Sequence, residues 1–547
     1  MPQKNAPSAA ARSPFGGRKR PFRWALSLLV GAAGCFTSAD ALSPPLTELY
    51  FPTALVVSPG NTTLYVASSD FDLAYDGGTL HALDLALVRG RVAPVVAGLV
   101  AGDGAASACA AAGLGENPNP LLFPGPCAGA PLVDFLRRTQ IIGAFASGAT
   151  LVSRSDGPGA RLFVTVRGDP SVTYFDVVDD RPERSGDPAA SPCGSAFCLE
   201  CGAADGARCP SDHLVGLDRD ENQRHLVLAA EPVGIGAAPA PDGDALLVAH
   251  QTTAAVSLVV SRFISGQKPT LEFSLSPVGT GPTEVAPVPV PAYVGAVRAS
   301  GTPFAYPPGF LVTYRAAPQI DLFRYHDDIE GGPPRPYLTR ALSVGIGVNS
   351  VGSDSRGVAV DGSKRAACEA VCAATDRLCT RGCLDIPLDV YIANRAPASL
   401  LLARLETVVV ESEDDSGIVR DSSAYDELVI YDTIPLAFGA SKVALGQVIE
   451  PDGSLGLRVF AVAFDSRFVF SYDPEQHRID AVIRTGRGPH AIAFDTSQNG
   501  GAPYSYLYIG HFTDSYVGVV DLDMRRPATF GSLVATIGVP NPPRESK

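Results

Sequence analysis

Beyond one short run near its start, the 547-residue chain has no apolar stretch long enough to cross a bilayer as a helix, which takes about 20 residues. That excludes a bundle of membrane-spanning helices. There is one Trp and there are two Met. No G-x-S-x-G elbow, no H-E-x-x-H pair and no glycine-rich phosphate loop occurs. The local signatures of serine hydrolases, zinc proteases and P-loop enzymes are therefore missing. No amphipathic helix longer than three turns recurs between the apolar segments, which argues against alternating strands and helices. Positive charge is scarce as well: 43 Lys and Arg face 57 Asp and Glu, for a net charge of −14. Six of those cations (Lys4, Arg12, Arg18, Lys19, Arg20 and Arg23) lie within the first 34 residues, which hold no acid, so the remainder is more acidic still. Such a surface repels nucleic acid and anionic lipid.

What the chain has in quantity is turns and a repeat. It contains 55 Gly and 47 Pro. Seven apolar segments share one form: Leu64–Asp70, Leu162–Asp169, Leu246–Thr252, Phe310–Ala316, Val390–Ala396, Phe460–Ser466 and Leu507–Thr513. Each sits inside a unit that divides into four short strands, A to D. In the last unit these are His490–Asp495, Tyr506–His511, Val517–Asp521 and Ser532–Val539; in the sixth, Lys442–Val448, Leu457–Ala463, Arg467–Tyr472 and Arg478–Arg484. The A–B joints, such as Ser58–Thr63 and Glu450–Gly456, are rich in Gly, Asn and Asp, which supply the positive φ of tight hairpins. A single such sheet would leave both faces wet, whereas seven packed around an axis bury each face against a neighbour. The predicted fold is all-β: a seven-bladed β-propeller of four-stranded antiparallel blades over residues 47–540, with a tail at 541–547.

The segments Phe51–Asp70, Val233–Gln251, Gly488–Asp495 and Leu507–Asp523 resemble the YVTN-type propeller repeat, with its proline before strand A, Asp-Gly turn, Tyr-Val strand and Val-Val-Asp strand. The resemblance implies the fold. It leaves activity open, because such propellers serve as sensors, scaffolds, lactonases and redox enzymes.

Residues 1–34 read as a signal peptide of the lipoprotein type. Arg18, Lys19, Arg20 and Arg23 precede the apolar run Trp24–Ala33, and small residues lead to Cys35, the expected site of lipidation. Residues 35–46 would then be a linker. Cleavage near Ala41 and an uncleaved anchor are the alternatives. The expected location is the cell envelope, as an outer-membrane lipoprotein that touches the membrane through its anchor alone.

Ten further cysteines form three clusters: Cys109 and Cys127; Cys193, Cys198, Cys201 and Cys209; and Cys368, Cys372, Cys379 and Cys383. An even number in an exported chain indicates disulfides within each cluster. The last four, spaced as two pairs one helical turn apart, would staple a helical hairpin as Cys368–Cys383 and Cys372–Cys379. Their spacing does not suit a zinc knuckle. The clusters fall in insertions at 98–137, 180–221 and 363–385, which occupy C–D, C–D and A–B joints. Strand parity puts those joints, and so all ten cysteines, at one end of the blades.

The B–C and D–A joints lie at the other end. Parity places Arg167, His250, Arg315, Arg395, His490 and His511 there, around the mouth of the central channel. Arginines in such a ring grip carboxylate or phosphate groups through charge-assisted hydrogen bonds. His490 and His511, in one repeat, are the two imidazoles near enough to share an ion. Asp70, Asp72 and Asp76 before Gly77-Gly78 offer oxygen ligands for Ca²⁺, although not at EF-hand spacing. The acidic runs Glu411–Asp415 and Asp327–Glu330 read as exposed loops. No catalytic set and no resident cofactor emerges. The expected function is a binding or scaffold module for a small anionic ligand or a protein partner. The alternatives are a lactonase-like hydrolase, a redox protein with a cofactor in the channel, and adhesion through the cysteine-bearing face.

Overall fold

The computed structural model describes residues 42–541 except 122, 155–158, 185–192, 241–242, 263–266, 298–302, 328–334, 347–353, 374–375, 414–418 and 498–502. The expected signal peptide, Cys35, most of the expected linker and all but the first residue of the tail lie outside the described residues.

Seven four-stranded antiparallel sheets form the blades of a propeller. The innermost strands A are Pro52–Val57, Ala146–Ser153, Pro232–Ala240, Pro282–Val288, Ser355–Asp361, Ala440–Ile449 and Pro489–Ser497. Each touches the next in order, and the seventh touches the first, so the ring is closed. The seven repeated segments are the strands B: Thr63–Ser68, Gly159–Val166, Gly243–His250, Gly309–Tyr314, Leu388–Arg395, Leu455–Ala463 and Tyr504–His511. They are continuously apolar because a strand in mid-blade is covered on both faces. The core accordingly sits between blades as seven separate clusters. Between blades five and six, for example, Tyr391, Ala393 and Leu402 meet Val443, Ala461 and Tyr472.

Each blade is one contiguous stretch of chain, so no strand is shared across the seam between blades seven and one. The first insertion bridges that seam. It begins at Leu85, ahead of the expected residue 98, and opens with an unexpected helix of 17 residues, α1 (Leu85–Ala101). Gly90, Pro94 and Gly98 within it disguise the helix, and its nearly all-round apolarity blurs the period. Asp84 caps its start by accepting from the amides of Ala86 and Leu87, and Gly102 closes its end at φ +85°. Val88, Val92 and Val96 share a core with Tyr508, Val534 and Ile537 of blade seven. After α2 (Ala105–Ala111) and the Cys109–Cys127 disulfide, the Ala130 amide donates to Thr536 O (2.9 Å), and the Gly538 amide donates to Ala130 O (2.8 Å).

The second insertion climbs strand D of blade one (Leu136–Ile142) as a parallel partner. Cys209 N donates to Ile141 O, and Arg208 reaches Asp76 at the mouth-side turn (3.3 Å). The expectation that every cysteine stays at the far end therefore fails for Cys209. Parity fixes where an insertion leaves the blade, not where it runs. Both excursions cover outer edge strands, which would otherwise offer unpaired amides. The second insertion is held by Cys193–Cys198 and Cys201–Cys209.

The third is the expected hairpin, α3 (Ser363–Ala370) and α4 (Arg377–Cys383), with Cys368–Cys383 and Cys372–Cys379 as its staples. It packs with the long C–D hairpin of blade five (Ala398–Glu413 and Val419–Pro435) through Leu384 and Val409. Glu411, read from sequence as part of an exposed loop, lies in that hairpin and accepts from Arg377 and the Tyr293 hydroxyl.

Candidate functional site

The proline that opens most A strands is followed by a residue aimed at the channel. These positions are Thr53, Ser147, Val233 and Thr283 in blades one to four, then Arg356, Ser441 and His490. They form an inner ring, tied partly from blade to blade. Thr53 Oγ1 donates to Ala146 O (2.9 Å), Ser147 Oγ to Pro232 O (2.9 Å) and Thr283 Oγ1 to Ser355 O (3.1 Å). A second ring comes from the residue just after strand B in six blades: Ser69, Arg167, Gln251, Arg315, Phe464 and Phe512, with Arg395, the last residue of strand B, completing it from blade five. Together they line a cavity of about 470 Å³ at the mouth.

Of the six residues expected there, four line the cavity: Arg167, Arg315, Arg395 and His490. His250 and His511 do not. Both are fully buried between blades. His250 Nε2 pairs with Ser257 Oγ (2.9 Å). His511 stacks on Tyr516 at 4.0 Å, and its Nε2 accepts from the Gly486 amide (3.2 Å). Burial pushes His250 down to about 4 and His511 to about 3, so both are neutral at physiological pH. In blades three and seven the last residue of strand B points into the blade interface, whereas its successor, in the turn, reaches the mouth. Arg356 and Lys442 are lining cations the sequence reading missed. Their signal was their place at strand A's start, one and two residues after the proline of sister blades.

Most of these cations carry their own carboxylate. Arg167 Nη2 donates to Glu231 (3.0 Å), Arg356 grips Asp354 with two bonds (2.7 and 2.9 Å), and Arg395 pairs with Asp465. Lys442 of blade six reaches past blade five to Glu284 of blade four (2.8 Å). The close approach this needs is allowed by Gly357, where a Cβ would lie 2.8 Å from the Lys442 Cα. Arg315 is exposed, and its guanidinium has no partner among the described residues. His490 lies beside Phe464 and Phe512, and burial, with Lys442 and Arg356 nearby, pushes it down to about 4.

The three carboxylates considered for Ca²⁺ turn to separate partners. Asp70 accepts from the Tyr75 amide, Asp72 from the Tyr50 hydroxyl, and Asp76 pairs with Arg208. No group of three or more His, Cys, Asp or Glu that could hold a metal occurs among the described residues. No helix among them is long and apolar enough to cross a membrane. Five disulfides suit a chain that folds in an oxidising, extracytoplasmic compartment.

No protein-family model matches the chain, and no curated protein matches it. Solved structures similar to it include the periplasmic gluconolactonase of Pseudomonas aeruginosa (14% identity, 71% of this chain and 95% of that one, TM-score 0.33). The hydrazine synthase of Kuenenia stuttgartiensis gives 11% identity, 88% and 97% coverage and a TM-score of 0.39. Apo AztD from Citrobacter koseri gives 10%, 90% and 87%, and 0.33. At these scores the likenesses carry no argument about activity.

Proposed function

We propose that this chain is an extracytoplasmic binding module, held to the outer membrane by a lipid on Cys35, whose channel mouth takes a small anionic ligand. The observation that supports it is Arg315. It is an exposed guanidinium, without a partner among the described residues, at the rim of a concave site that also holds Arg356, Arg395 and Lys442, in a chain of net charge −14. Ion-paired arginines must give up a carboxylate to take a ligand, and Arg315 need not. The charge of Arg315 is the one at this mouth that no carboxylate among the described residues offsets, and it attracts an anion to that spot.

The test is titration with acetate and inorganic phosphate. Arg315→Ala should weaken the anion that binds at least tenfold while leaving the denaturation midpoint in place. Unchanged affinity, or no binding of either anion, refutes the reading. A hydrolase reading draws on the neutral His490, which could accept a proton. Among the described residues, however, no carboxylate hydrogen-bonds its ring to orient it, as one does in a Ser-His-Asp site.

A further inference from the structure

We infer that the ligand of this mouth is an organic carboxylate with a planar apolar ring, its anion on blades four and five and its ring on the opposite wall. This rests on the proposed anion site and adds the other half of the ligand. The mouth is two-sided. Arg315, Arg356 and Arg395 belong to blades four and five, while Arg167 of blade two is held by Glu231 and Lys442 of blade six turns away to Glu284 of blade four. Across the channel, blades six, seven and one contribute Phe464, Phe512 and Phe71.

Phe71, in the loop after strand B of blade one, is 47% exposed. It is nevertheless held in place from behind. Its ring meets Phe512 edge-on at 5.0 Å and Phe145 at 5.7 Å, and Phe51 backs Phe512 at 5.0 Å. The result is a rigid aromatic shelf with free surface toward the cavity, where a second ring finds offset or edge contacts. The neutral imidazole of His490 extends that shelf instead of adding charge to it.

Size points the same way. A cavity of about 470 Å³ lies within the range of roughly 300–1,000 Å³ for small-molecule sites, far larger than a bare phosphate needs. A simple anion would leave the shelf wet. A purely apolar ligand would desolvate the Arg315 guanidinium without a partner, which is costly. A ring bearing a carboxylate satisfies both walls at once.

The experiment compares 2-naphthoate with acetate by ligand-observed NMR titration of the exported chain. The expectation is that 2-naphthoate binds at least tenfold more tightly. Phe71→Ala should remove that advantage and leave acetate unchanged, with Phe464→Ala as a second variant should the first misfold. Arg315→Ala should weaken both probes. Equal affinity for the two probes overturns the aromatic half while the anion site stands. Naphthoate binding that follows Phe71 but ignores Arg315 overturns the anion site itself.

Discussion

Arg89→Ala should open the propeller at one place. Arg89 lies on α1, in the insertion from blade one, and Asp495 lies on strand A of blade seven, so their 2.8 Å ion pair crosses the seam. The Asp495 side chain is fully buried, and that of Arg89 is 23% exposed. Removing the guanidinium leaves the carboxylate with the hydroxyls of Tyr508 (3.1 Å) and Tyr504. Breaking a buried pair from one side costs about 3–5 kcal/mol, and the partial exposure of Arg89 sets the expectation at about 3 kcal/mol. The loss should depend on pH. Burial already raises the Asp495 carboxyl above the ordinary carboxylate range, against the opposing pull of Arg89. Without Arg89 it rises further. A carboxyl with a raised folded pKa stabilises the fold at acid pH, and that stability is lost as pH climbs through the raised value. The penalty should therefore be full at neutral pH and shrink on acidification. Adding Asp495→Asn should recover much of it, because no charge is then left buried. Chemical denaturation across pH gives the energies, and amide exchange gives the location. Protection should fall first at Ala130, Gly538 and strand D of blade seven (Leu533–Ile537). A loss below about 1 kcal/mol, a flat pH dependence, or exchange spread evenly into blades three and four would refute the clasp.

Two more outcomes are expected. His511 is buried neutral with its pKa pushed down to about 3, so its contribution is complete above the ordinary histidine value and is lost as pH falls below it. His511→Gln should reduce the stability lost between about pH 7 and about pH 5.5 by about 1.3 kcal/mol, read from urea midpoints; parallel profiles for the two proteins would count against a neutral buried imidazole. Cys35→Ser should shift the protein from the membrane fraction to the soluble fraction after lysis, and retention in the membrane would remove the lipid anchor from the proposal.

The blades were legible in the sequence because their signal is local. A mid-blade strand buried on both faces must be apolar throughout, and all seven segments from Leu64 to Thr513 proved to be strand B. The direction of a side chain at a strand's end was not legible. Counting strands tells which end His250 and His511 occupy, but one further residue along a pleat turns a side chain from the blade interface to the channel. His250 therefore went into the core while Gln251 went to the rim. Arg356 was missed for a related reason: the fifth repeat has no proline before strand A to mark the start of the inner ring. The route of the insertions depends on tertiary packing, which α1, interrupted by Gly90, Pro94 and Gly98, did not announce.

Unlike blades have a consequence for recognition. Seven identical modules would present a guest with seven equivalent poses, a statistical gain of about 1.1 kcal/mol but no defined heading. Here the guanidinium groups stand on blades two, four and five and the phenyl groups on blades six, seven and one, so the seven positions are not equivalent and rotational degeneracy is gone. A guest seated in this basin has a single bearing, which any later handover to a partner or any chemistry on the guest would require.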